Sequence, residues 1–292
     1  MDPIADTAIP VVTFLMMVAV GHGLTATDLR QSATDLRAVI TATISQLFFL
    51  PLIATVIILV FNPAPTIIAG LVLVAACPGG TISNFYTCLA RGNTALSLTL
   101  TAISCLLSFI SLPLLVAAGF FFWLDDQPEV HVPVTILVGQ LLVLVALPTC
   151  LGMMLRRWRP AATEIRNIIL RRVSVIALVS FVAYIVYDQR NAITAVLVEL
   201  SLVAVVFTSL AMAAGYALAW VTGRSSADRL TYLIEFPCRN LALALVVAVT
   251  ILGRPEFVAF AAVLLLIQAL VMLSMVAFLK RDRGADVETR LG

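Results

Sequence analysis

The length of its apolar runs constrains this chain most. A hydrocarbon core about 30 Å thick is crossed by about 20 apolar residues in an α-helix. Such runs cover residues 8–24, 38–61, 66–90, 94–124, 133–155, 168–187, 193–223, 229–253 and 257–279, nine candidate spans. They are too long for membrane strands and lack the alternation of a β-barrel. The connections are short and rich in turn formers, as in Asn62-Pro63-Ala64-Pro65, Arg91-Gly92-Asn93, Asp125–Glu129 and Arg224-Ser225-Ser226. No stretch is long enough for a separate soluble domain, so residues 1–292 are expected to form one all-α polytopic membrane domain. Charged residues make up 12% of the chain, against about 25% in soluble domains. That excludes an ordinary water-soluble enzyme and a disordered chain. A net charge of +2 offers no field to attract polyanions, which excludes a nucleic-acid binder.

The basic residues orient the spans. With the N-terminus outside, Arg30, Arg37, Arg91, Arg156, Arg157, Arg159, Arg166, Arg171, Arg172, Arg224, Arg229, Lys280, Arg281, Arg283 and Arg290 face the cytoplasm. Of the 18 basic residues, this leaves Arg190 and Arg254 outside and Arg239 within a span. Such asymmetry is what the positive-inside rule predicts, so the C-terminus is expected to be cytoplasmic. The preference for Arg over Lys points to a GC-rich bacterial genome and hence an inner membrane. Residues Met1–Asp6 carry acid and no base, the wrong sign for a cleavable signal peptide. The five cysteines, Cys77, Cys88, Cys105, Cys150 and Cys238, lie in apolar surroundings and read as free thiols.

Two spans are interrupted. The third contains Ala76-Cys77-Pro78-Gly79-Gly80-Thr81-Ile82-Ser83-Asn84, and the eighth contains Glu235-Phe236-Pro237-Cys238-Arg239-Asn240. Proline removes a donor and clashes with the preceding turn, and paired glycines make helix continuation costly. Broken backbone is tolerated at membrane depth only where it lines protein or a wet cavity. Paired breaks at matching places in two halves point to a transporter binding site. Here the halves are spans 1–4 and 5–9, repeat one at residues 1–124 and repeat two at 133–280, an inverted repeat lacking its opening helix.

Few polar groups lie inside. Thr94, Ser97, Thr101, Ser104, Ser108 and Ser111 share one face of the fourth span. Ser104, Ser108 and Ser111 read as close-packing residues. Ser97 and Thr101, one turn apart, join Ser83, Asn84 and Glu235 as a candidate all-oxygen sodium cage, since hard cations take hydroxyl, amide and carboxylate oxygens. A mid-membrane carboxylate such as Glu235 costs about 2.5–3.5 kcal/mol on insertion scales and needs a cation, a proton or water. Glu199, near the outer end of its span, reads as structural. Helix N-termini after both breaks would present amides to an anion. Gly80, Thr81 and Ile82 open one half-helix, and Arg239 and Asn240 open the other.

The segment Cys77-Pro78-Gly79-Gly80-Thr81-Ile82-Ser83-Asn84, followed by Leu89-Ala90-Arg91-Gly92-Asn93-Thr94-Ala95-Leu96-Ser97, resembles the hallmark of the bile acid:sodium symporter family. Met17–Leu24 resembles the family's early helix, with His22 where Met is usual, and Glu235–Asn240 occupies the place of its second crossing helix. The resemblance implies a panel and a core, the core including 66–124 and 193–279, with two broken helices crossing in it. It implies a first sodium site at Ser83, Asn84, Ser97, Thr101 and Glu235. It implies a second at Gln46, Glu235 and the carbonyls of Phe236 and Cys238, with Arg239 in place of a final Gln. It also implies substrate contacts at Thr81 and Asn240. A guanidinium cannot ligate a cation. Arg239 is therefore expected to replace the second sodium, pairing with Glu235 one turn away, to bind the substrate carboxylate bidentately, or simply to pack with its guanidinium bonded to carbonyls.

These readings converge on a carrier of a small organic anion, bile-acid-like, pantoate-like or a keto acid, working by alternating access in the lipid bilayer and coupled to Na+. A monomer is the expected oligomeric state. The alternatives are a sodium-independent anion carrier, an arsenite efflux permease using Cys77 or Cys238, and a non-transporting membrane sensor. The chain has no HExxH or GxSxG motif, and His22 and His131 fall near opposite faces, so enzymatic chemistry is not expected.

Overall fold

The computed structural model describes residues 36–124, 142–158 and 190–291, with single positions in 11–21, 138–139 and 176–187. The expected spans 8–24 and 168–187 and the first part of 133–155 lie largely outside the described residues, as do His22 and His131. Among the described residues all regular elements are helical, and no strand occurs.

The chain runs through α1 (Leu36–Phe61), α2 (Pro65–Ala76), α3 (Ile82–Leu89) and α4 (Thr94–Leu124). A π-helical turn at Leu142–Ala146 leads into α5 (Leu147–Trp158). Then come α6 (Arg190–Ala195), α7 (Leu197–Val221), α8 (Ser226–Glu235), α9 (Leu241–Val246) and α10 (Val258–Leu291). Four helical stretches are long and apolar enough to cross a membrane: Leu36–Phe61, Thr94–Leu124, Leu197–Val221 and Pro255–Leu279. The exposed side of these helices is itself apolar, as at Phe48 on α1, Phe122 on α4 and Val198 on α7. A surface of that kind suits lipid rather than water.

Both expected breaks are present. α2 ends at Ala76, and Cys77 takes the extended backbone (φ −64°, ψ 149°) that the residue before a proline prefers. α3 starts at Ile82. α8 ends at Glu235, and α9 starts after Asn240. α2 and α3 therefore make one interrupted span, and α8 and α9 another, with α9 continuing as a π-helical turn over Val247–Ile251.

The intact helices pack around these pieces. α2 lies against α1, α4 and α10, while α7 lies against α1, α8 and α10. Helix 36–61 is thus part of the same packed body as 66–124 and 193–279. Glycines allow the closest approaches. A Cβ at Gly215 on α7 would lie 2.4 Å from the Tyr232 carbonyl oxygen of α8. One at Gly70 on α2 would lie 2.6 Å from Phe260 Cβ on α10. Glu199, on the first turn of α7, accepts the Ala64 N–H through Oε1 at 3.2 Å. It places a carboxylate at the start of α2, where the helix dipole favours it.

Candidate functional site

The two breaks meet. Gly79 and Arg239 form an isolated antiparallel bridge. The Gly80 N–H donates to the Cys238 carbonyl at 2.8 Å, and the Asn240 N–H donates to the Pro78 carbonyl at 2.9 Å. Each interruption thereby satisfies backbone groups that the other has freed, which is what burial demands. Only glycine fits: a Cβ at Gly80 would lie 2.5 Å from the Arg239 carbonyl oxygen. Two further side chains complete the crossing. Ser104 Oγ on α4 accepts the Gly79 N–H at 3.0 Å, and Gln268 Nε2 on α10 donates to the Pro237 carbonyl at 2.8 Å. Ser104 is therefore more than the packing residue its place in the stripe suggests, and Gln268 belongs to no motif. The six-residue hydroxyl stripe contained the signal for Ser104, whereas a lone Gln among apolar residues at 258–279 was the only signal for the other.

α8 has 10 residues, so at 1.5 Å per residue its last residue lies about 15 Å along the helix from its start. That residue is Glu235, which is fully buried. Its Oε2 accepts from Ser97 Oγ at 2.9 Å, and its Oε1 accepts from Thr101 Oγ1 at 2.8 Å. Ser83 Oγ lies 3.5 Å from Thr101 Oγ1 and donates to the Gly80 carbonyl at 2.8 Å. No basic side chain among the described residues comes within ion-pair distance of Glu235. Asn84 Oδ1 is buried without a hydrogen-bond partner.

The structure thus gathers Ser83, Ser97, Thr101 and Glu235 into one cluster of oxygens, with an unsatisfied amide oxygen on the residue next to Ser83. These donors fit a sodium ion. They are all oxygen: a carboxylate with no basic side chain among the described residues in ion-pair distance, hydroxyls, and an orphaned amide carbonyl that a cation would satisfy.

Arg239 departs from the expected pairing. Its guanidinium does not reach Glu235. Nε donates to the Cys77 carbonyl at 3.0 Å, Nη2 donates to the same carbonyl, and Nη1 donates to Gln46 Oε1 at 3.1 Å. The reason is local: α8 stops at Glu235, so the four-residue spacing no longer means one helical turn. The buried charge instead meets the C-terminal end of α2, where the helix dipole is negative.

Further expectations change with the hydrogen bonds. The Gly80 amide is engaged by Cys238 and is not an open donor for an anion. The Cys238 carbonyl and Gln46 Oε1, expected on a second sodium, already accept from Gly80 and Arg239. Asn240 Oδ1 caps α9 by accepting from the Leu243 N–H at 3.2 Å. Phe236 is fully buried at the end of α8, stacked on Tyr232. Thr81 and Ile82 open α3, where a helix's first amides lack intrahelical acceptors.

The chain has relatives among known proteins. It is 29% identical over 241 residues to an Arabidopsis thaliana protein named probable sodium/metabolite cotransporter BASS1, chloroplastic, covering 82% of this chain and 59% of that protein. It is 34% identical over 182 residues to YocS of Bacillus subtilis, described as an uncharacterized sodium-dependent transporter, covering 61% of this chain and 54% of the relative. The mouse P3 protein is 26% identical over 248 residues, 84% of this chain and 51% of the relative. The chain spans between half and three-fifths of the length of these relatives. The profile of the sodium bile acid symporter family matches residues 10–214, which takes in the first break and the hydroxyl stripe and stops short of Glu235. With most of its length matched, the chain belongs to the sodium bile acid symporter family.

Proposed function

We propose that this protein is a sodium-coupled carrier of a small organic anion. The observation that carries the reading is the buried Glu235 carboxylate, set among Ser97, Thr101 and Ser83 where two broken helices cross, with no basic side chain among the described residues in ion-pair distance. A carboxylate in that position is several kcal/mol out of favour without a counter-charge. Sodium supplies the charge and ties α3, α4 and α8 together. The anion, whether bile-acid-like, pantoate-like or a keto acid, sits on the other side of the crossing against the amides of Thr81 and Ile82. Sodium bound at Glu235 preorganises that site, so ion and anion bind with reciprocal coupling.

Arg239 acts as a built-in cation in place of a second sodium. Its bond to Gln46 Oε1 supports this, because that oxygen is one the second ion would need. Transport proceeds by alternating access in a nine-helix, inverted-repeat framework of panel and core. The protein lies in a bacterial inner membrane, with its N-terminus outside and its C-terminus in the cytoplasm.

The test has two stages. Thermal-shift screening of purified protein against organic anions, with and without sodium, identifies a transported candidate. Uptake of that anion into proteoliposomes is then measured against sodium concentration. A Hill slope near one is expected, with loss of sodium dependence in Glu235→Gln. A slope near two refutes the role given to Arg239, and sodium-independent uptake refutes the cation site.

A further inference from the structure

The oxygen cluster lies on the seam between α4 and α8, so its geometry depends on how those helices are aligned along each other. One turn closer to the start of α8, a second set of polar contacts crosses the same seam. Thr231 is fully buried. Its hydroxyl accepts the Asn93 N–H at 2.8 Å and lies within donating distance of the Asn93 carbonyl, at 3.2 Å, and the Ala227 carbonyl, at 3.0 Å. The Asn93 side chain works in both directions. Nδ2 donates to Asp228 Oδ1 at 2.9 Å, and Oδ1 accepts the Leu96 N–H at 3.1 Å, capping α4. Asn93 is therefore at once the cap of α4 and the partner of α8.

The pairing repeats at a constant offset. Asn93 meets Thr231, and four residues later in both segments Ser97 meets Glu235, each pair separated by 138 positions. A slip of one residue would rotate one helix face by about 100° and turn Ser97 and Thr101 away from Glu235. Gly92 shows how closely the clasp is built. A Cβ there would lie 2.9 Å from Thr87 Cγ2 and 3.0 Å from Thr231 Oγ1. Thr87 in turn donates to Ser97 Oγ at 3.4 Å, one bond away from the carboxylate.

We infer that Thr231 and Asn93 are positioning residues for the cation site, setting the register of α4 against α8 and with it the size of cation that the oxygens around Glu235 accept. Selectivity among hard cations follows cavity size, ligand number and rigidity, and the clasp governs the first and the last of these. This inference rests on the proposed sodium site at Glu235.

The test is thermal unfolding of the full-length protein in detergent. It is titrated with sodium, lithium or potassium chloride, with ionic strength held constant by choline chloride. Wild-type protein is expected to show a saturable rise in melting temperature with sodium, which Glu235→Gln removes. Thr231→Val keeps the shape but loses the hydroxyl. It is expected to raise the sodium midpoint about three- to tenfold, the equivalent of one hydrogen bond, and to narrow the gap between sodium and the other two cations. Thr231→Ser restores both. Asp228→Asn, a milder change at the clasp, is expected to shift the midpoint the same way by less, and it decides the matter if Thr231→Val does not fold. A lower melting temperature in choline chloride with an unchanged sodium midpoint and cation order overturns the inference and leaves the site at Glu235 standing. Absence of any cation response in wild-type protein overturns both.

Discussion

Replacing Gly79 with alanine puts a methyl group against the Glu235 carboxylate. The added Cβ would stand 2.7 Å from Glu235 Oε1, 3.2 Å from Ser104 Oγ and 3.5 Å from Thr101 Cα. A separation of 2.7 Å is inside van der Waals contact, so something must move. The Glu235 oxygen is the terminus of a side chain and yields before the helix axes do. Thr101 holds that same oxygen at 2.8 Å, and displacement breaks the bond. A hydrogen bond to a charged group is worth about 1.5–3 kcal/mol. At about 1.4 kcal/mol per tenfold, the sodium concentration that half-saturates stabilisation should rise about tenfold to a hundredfold. Gly80→Ala is the contrast. Its Cβ would meet the Arg239 carbonyl oxygen at 2.5 Å, a backbone atom in the crossing itself, which no rotamer change can relieve. That variant should lose folded protein rather than sodium affinity. The assay for both is melting temperature in detergent against sodium chloride, with choline chloride as the ionic control. A folded Gly79→Ala protein with the wild-type sodium midpoint would refute the placement of a cation against this carboxylate.

Other substitutions probe the scaffold. Ser104→Ala leaves the Gly79 N–H buried without an acceptor, and should lower stability by about 1–3 kcal/mol, measured by thermal unfolding. Asn240→Ala removes the side-chain cap of α9 and should destabilise by about 1 kcal/mol; Asn240→Ser, another good cap, should recover most of the loss in the same measurement. Gly215→Ala drives a methyl group into the Tyr232 carbonyl, and the overpacking should destabilise by about 1–3 kcal/mol, seen as a lower melting temperature with or without sodium.

The positions of both breaks were legible in the residues. Pro78 with Gly79 and Gly80, and Pro237, act through their own backbone, so their effect is local and needs no knowledge of neighbours. The grouping of Ser97 and Thr101 on one face of α4 was legible for the same reason, since helical spacing alone aligns them. Glu235 stood out as an acid in an apolar run. The hydrogen-bond partners of the crossing were not legible. Ser104 looked like the other small residues of its stripe, and only the position of Gly79 gives its hydroxyl a donor to accept from. Thr231 and Asn93 lie 138 positions apart, and no periodicity within either segment announces the other.

Composition and periodicity by themselves settle that this chain is helical and built for a bilayer, because apolar length and backbone satisfaction are properties of each segment alone. They also pick out one carboxylate and a row of hydroxyls within apolar runs. Where the charges point is decided only in three dimensions. Read along a helix, Arg239 belongs beside Glu235. In the folded chain the helix has ended before Arg239 is reached, and its guanidinium turns to Cys77 and Gln46. Glu235 keeps its hydroxyl partners, Ser97 and Thr101. That separation arises from two broken segments exchanging backbone hydrogen bonds, an interaction that exists only once distant parts of the chain have come together.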